Sequence, residues 1–183
     1  MKDELRELGF PSELSMCFEV LPVEVSPSHA DGQEKLFEGF LSQFRCLQAR
    51  SRRGVVFLWT VDRPYRHDSG RALTSKISYI EKTDQTISQR WKKNHIVSLI
   101  TDQDEGEVKG ESNSLRSHAA ANKNWTFYSR LIREHGPLQI WWAGSEHLNY
   151  VSSEKLSPRE WERRLLALYW NYHGCWPLKN RKG

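Results

Sequence analysis

The sequence predicts a small α/β domain of the α+β kind, a three-stranded, mainly antiparallel sheet flanked by helices and preceded by an N-terminal helical extension. Three observations predict it. GVVFLWTV at 54–61 is a β-branched and aromatic run, and the alternating KISYI at 76–80 follows it across a polar loop, as in a hairpin with a long connection. PLQIWWAG at 137–144 supplies a third strand. LSPREWERRLLALYWNYHG at 156–174 is the clearest helix in the chain, with Ser157 to cap it, Pro158 in its first turn and Gly174 to end it.

The elements follow in order. Before residue 32, Pro11, Pro22 and Pro27 break the chain into irregular and short extended pieces, with VLPVEV at 20–25 as a strand candidate. From Gly32 to Arg50, Leu36, Phe37, Phe40, Leu41, Phe44 and Leu47 recur at helical spacing and predict an amphipathic helix. SRRG at 51–54 is a break, which sets the extension at 1–53 and the main domain at 54–183. DRPYRHDSGRA after the first strand reads as a polar loop with Pro64 and Gly70. Thr83, Asp84 and Thr86 offer cap oxygens to a helix beginning ISQRW, with Ile87, Trp91 and Ile96 on one side. Residues 102–123 are polar, contain two glycines and form the best candidate for an inserted loop. NWTFYSRLIREHG reads as a helix ending at Gly136. The order is therefore β-β-α-α-β-α behind a leading helix.

Composition bounds the function. The 183 residues suffice for one core, and 38% apolar with 27% charged residues fits a soluble globular chain rather than a disordered one. No apolar run approaches the roughly 20 residues that span a bilayer. The start, MKDELRELGF, lacks a signal-peptide core, so a cytoplasmic location is expected. Cys17, Cys46 and Cys175 are odd in number and far apart, which argues against a zinc site or a disulfide framework. A net charge of +4 is compatible with a polyanionic partner. Lys92, Lys93, Arg159, Arg163, Arg164, Lys179, Arg181 and Lys182 crowd the segments discussed next.

Those segments carry a resemblance. Gly54-Val55-Val56 opens the first strand, and Tyr79-Ile80-Glu81-Lys82-Thr83 closes the second. Arg90 follows in SQRW, Glu162 opens E-R-R-L-L with Leu165 and Leu166 as its apolar pair, and Asn180 follows Pro177 in PLKN. In this order the set resembles the GIY-YIG nucleases, over about 70% of the chain. The resemblance implies a metal-dependent endonuclease acting on DNA, with RNA left open, and Mg²⁺ or Mn²⁺ as cofactor. It places the metal on Glu162 and the catalytic work on Tyr79, Lys82, Arg90, His95 and Asn180.

The residue types fit phosphodiester hydrolysis on their own terms. The reaction needs an activated water, a cation for the charge developing on phosphorus oxygens, and help for the leaving oxygen. A single carboxylate, Glu162, can hold Mg²⁺ if water and substrate complete the octahedron. Arg90 offers a planar fork to the scissile phosphate. Tyr79 is the candidate general base, and Lys82 the nearby positive charge a phenol near pKa 10 requires. His95 is a candidate phosphate or leaving-group contact, and Asn180 a loop-fixing group. Each has a plainer reading: a packed tyrosine, a snorkelling arginine, a helix-surface glutamate with Glu160 as rival, a turn-capping asparagine.

Departures from the family pattern define two rivals. Val56 stands where the first motif has tyrosine, and Glu81 where the second has glycine. They motivate a non-catalytic nucleic-acid-binding module on the same fold. Eight tryptophans motivate a protein-interaction domain. Oligomeric state is left open by the sequence.

Overall fold

The structure is a computed structural model, and it describes residues 1–25, 27–30, 33–36, 48–68, 71, 73–94, 128 and 130–180. The expectations for His95, for the insertion at 102–123 and for Cys46 lie outside these residues.

The core of the fold is a four-stranded antiparallel sheet, one strand more than expected. Its order is β1 (Glu19–Val25), β6 (Leu138–Gly144), β4 (Val55–Arg66), β5 (Thr74–Thr83). The extra strand comes from the segment expected to be an appended extension. β1 pairs with the outer side of β6, Glu19 opposite Trp142 and Val25 opposite Leu138, with a shift in register around Pro22. Proline cannot donate to the ladder and is tolerated on an edge strand.

The predicted helix at 32–50 is corrected in its first turn. Gln33–Leu36 forms β3, paired with β2 (Pro27–Ala30) in a separate two-stranded sheet. Ala30 faces Gln33 in this ladder, so strand pairing replaces the expected helix at these residues. Residues 37–47 lie outside the described set, and Gln48–Ser51 is a 3₁₀ turn.

The predicted loop after β4 begins later than expected. β4 runs on to Arg66 because Tyr65 is buried and its hydroxyl donates to the carbonyl of Ile77, tying the strand end to β5. Pairing between the two strands resumes at Tyr65 opposite Ser75.

Helices cover both faces. Against one face pack α3 (Ile87–Asn94) and the helical residues 130–135 (α4), burying Ile87, Leu131 and Ile132 against Val55, Phe57, Trp59 and Val61. Against the other pack α1 (Lys2–Glu7), α2 (Ser12–Ser15), α5 (Ser145–Ser152) and α6 (Pro158–His173), burying Leu5, Phe10, Phe18, Trp161 and Leu165 against Val56, Leu58 and Ile80. The N-terminal 25 residues thus build part of both cores.

The helix ends follow their sequence signals. Ser157 and Glu160 form a reciprocal capping box on α6, and Gly174 ends it at φ 72°. Thr86 Oγ1 accepts from Gln89 N while Gln89 Oε1 accepts from Thr86 N, so Thr86 caps α3. Gly136 takes φ 84° after α4. α5 had no counterpart among the expected elements. No described helix is long and apolar enough to cross a membrane.

Candidate active site

β5 is an edge strand, and the candidate residues gather along it. Alternation sends Tyr79 and Glu81 to the face that carries Trp59, Phe57 and α3. Asn180, in the 3₁₀ turn Leu178–Asn180, fixes the outer edge between them. Its Oδ1 accepts from Ile80 N at 2.9 Å and its Nδ2 donates to Ile80 O at 2.7 Å. The amide thereby replaces the missing neighbour strand at one residue. Glu4 does the same at the other end, accepting from Lys76 N at 3.0 Å and from Ser75 Oγ at 2.7 Å. Both contacts blunt an edge that otherwise presents unpaired backbone groups.

Glu81 is the best-anchored group of the site, and sequence reasoning treated it as a departure. Its side chain is 1% exposed. One oxygen accepts from Trp59 Nε1 at 2.9 Å, and the other lies 3.5 Å from Arg90 Nη2. Burial pushes its carboxyl up to about 7, while Arg90 and the Trp59 hydrogen bond pull the other way. Arg90, on α3, is partly exposed, and its Nη2 meets Glu81 while its Nε is buried.

Tyr79 is half-buried beside this pair. Burial pushes its phenol pKa well up, the charges of Glu81 and Glu162 push it further, and Arg90 lowers it. Lys82 was expected to supply that lowering charge. It is instead paired with Asp84, and it acts on Glu162. The strand explains this: Lys82 lies opposite Val56, on the other side of the ladder from Tyr79 and Glu81. Val56 itself is wholly buried in the core under α6. The first-motif position therefore faces away from Tyr79, and its partner across the strands on the tyrosine's side is Trp59.

Glu162 approaches from α6, which lies against β5 and β4 with Trp161, Leu165 and Tyr169 buried. It sits at the border of that buried stripe. It has no hydrogen bond or ion pair among the described residues. Burial raises its carboxyl pKa, while Lys82, Arg90 and Arg159 draw it down. Its rival Glu160 is committed to the cap, accepting from Ser157 N and Ser157 Oγ at 2.7 Å each.

Tyr79, Glu81, Arg90 and Glu162 thus lie within electrostatic reach of one another. Two further residues lie close by: Tyr128, which sequence reasoning did not single out, and Lys179, named only as one of the basic residues near the motifs. Tyr128 stacks on Trp59 with ring centroids 5.7 Å apart, and Lys179 Nζ stands 5.5 Å above the Tyr128 ring. The nearer signal was one residue from Asn180: a lysine beside the motif asparagine.

The donor set bears on a metal. Among the described residues, no three His, Cys, Asp or Glu side chains form a cage. A half-buried carboxylate with no partner, Glu162, fits a hard cation that keeps most of its waters and takes the rest from substrate oxygens. It does not fit zinc, which takes nitrogen and sulfur ligands. The chain matches no protein-family model, no curated protein and no solved structure.

Proposed function

We propose that this chain is a metal-dependent endonuclease of the GIY-YIG type, hydrolysing phosphodiester bonds in DNA at the edge of β5. The observation that supports the reading is that Tyr79, Arg90 and Glu162, from a strand and two helices far apart in sequence, act on one another electrostatically.

Glu162 is the residue to hold Mg²⁺ or Mn²⁺. That ion would supply positive charge to the phosphate oxygens and would offset the Glu162 charge, which adds to the burial and the Glu81 charge that raise the Tyr79 pKa. Arg90 directs its guanidinium to the scissile phosphate, and Glu81 holds its Nη2. Tyr79 orients the attacking water and takes its proton. Asn180 keeps β5 straight between Tyr79 and Glu81. Arg159 and Arg163, exposed on the first turns of α6, are placed to bind flanking phosphates.

One observation favours the rival reading of a binding module without catalysis: Glu81 engages Arg90, and the Tyr79 phenol is pushed away from a useful base. Nicking of supercoiled plasmid with and without Mg²⁺ decides between them. Metal-dependent nicking supports the enzyme; plasmid binding that never leads to a nick supports the module.

A further inference from the structure

The cavity of about 700 Å³ at the opposite edge of the sheet plays no part in the site above. It opens beside β1 and the end of β6, two strands away from β5. From its chemistry we infer that it is a nucleotide-binding pocket, taking a 5′-phosphate at one end and a base at the other.

The phosphate end is built by the chain entering β4. Gly54 O accepts from Ser145 N at 2.7 Å, and Arg52 O accepts from Ile87 N at 3.0 Å. The first bond holds Gly54 against the start of α5, the second ties Arg52 to the start of α3, and Arg52 and Arg53 both line the cavity. Two planar guanidinium forks suit a phosphate. At the same end α5 begins on Gly144, which gives it no side-chain cap. A Cβ built at Gly144 meets nothing within 4 Å, so the space before the first turn is open.

The other end is aromatic. Trp142, half-buried on β6, lines the cavity with Leu21 and Pro22. Glu19, opposite Trp142 in the ladder, lines it too, and Glu146, in the first turn of α5, lines the other end. These acids argue against a simple anion trap, which would exclude carboxylates. They suit a ligand that brings an anion together with hydrogen-bond donors and a flat ring, as a nucleotide does. The volume is within the range of small-molecule sites, roughly 300–1,000 Å³. Such a ligand comes either free or as the 5′-phosphorylated end of a polynucleotide.

The test titrates the intact protein at low salt with dAMP, deoxyadenosine, inorganic phosphate, and a short single strand carrying either a 5′-phosphate or a 5′-hydroxyl. The readout is the indole NMR signal assigned through Trp142→Phe. The proposal expects dAMP or the 5′-phosphorylated strand to move that signal, and deoxyadenosine and inorganic phosphate to bind at least about tenfold more weakly. Binding by dAMP marks a free nucleotide as the source, and binding by the strand alone marks a polynucleotide end. Arg52→Glu with Arg53→Glu weakens binding by about tenfold or more. Gly144→Asp does the same while holding or raising the melting temperature, because aspartate caps α5 and occupies the phosphate space. Glu162→Ala leaves binding unchanged, which separates this pocket from the proposed nuclease site. Silence of the Trp142 signal toward both phosphorylated ligands overturns the proposal. So does binding that survives Gly144→Asp, or inorganic phosphate binding as well as dAMP.

Discussion

Glu81 Oε2 and Arg90 Nη2 lie 3.5 Å apart, with the carboxylate fully buried and the guanidinium partly exposed. A buried acid behind a partly exposed cation is a holder: it sets the guanidinium's direction. The arrangement has a stability cost. Moving a carboxyl from an ordinary 4.5 to about 7 disfavours its ionised native form by about 3 kcal/mol. The native state binds this proton more tightly than the unfolded chain. The contribution is therefore full below pH 4.5 and is lost as pH rises through about 7. Glu81→Gln is expected to flatten that limb and to melt higher than wild type at pH 8. Melting temperatures from pH 5 to 9 check it, and a pH 8 melting point well below wild type contradicts it.

The same substitution weakens the grip on Arg90. If the site cuts DNA, Glu81→Gln lowers kcat by about tenfold or more, since a displaced donor to phosphate costs roughly 1.4 kcal/mol or more of transition-state stabilisation. A nicking assay on plasmid, with the melting temperature measured in parallel, separates this from a loss of fold.

Much of the fold was legible, and its misses are specific. The α6 helix was readable because cap, first-turn proline and terminal glycine agree with the apolar stripe, and β4 because its apolar run is continuous. β1 was readable as a strand, but not as a member of the main sheet, since its partner β6 is more than a hundred residues away and pairing register leaves no local trace. Tyr79, Arg90, Glu162 and Asn180 were singled out by their order in the chain. The contacts of Glu81 with Trp59 and Arg90 were not legible, because Trp59 sits on another strand.

Asn180 makes two bonds to the backbone of Ile80, and removing them exposes an N–H and a C=O that are otherwise paired. Asn180→Ala is expected to cost about 1–3 kcal/mol in chemical denaturation and to speed hydrogen exchange at the Ile80 amide. Unchanged protection at Ile80 counts against the edge-fixing role.

Burial of His173 is expected to cost stability in acid. Its ring is 1% exposed, packed on Tyr169 at 4.3 Å between centroids, and neither nitrogen has a partner among the described residues. Burial lowers its pKa below the ordinary 6.5. The unfolded chain takes up a proton first, so stability falls as pH drops below about 6.5. His173→Phe keeps the ring contact and should move the acid midpoint lower. Acid unfolding followed by circular dichroism tests this, and an unmoved midpoint removes His173 from the account.

The most direct measurement of the central claim is plasmid nicking by wild type and Glu162→Ala, with Mg²⁺ or Mn²⁺ and with chelator, at two salt concentrations. The account predicts nicking by wild type with metal, none with chelator, and none by Glu162→Ala, whose melting temperature stays close to wild type. Undiminished nicking by Glu162→Ala, or a wild-type protein that folds and binds plasmid yet never nicks it, contradicts the account.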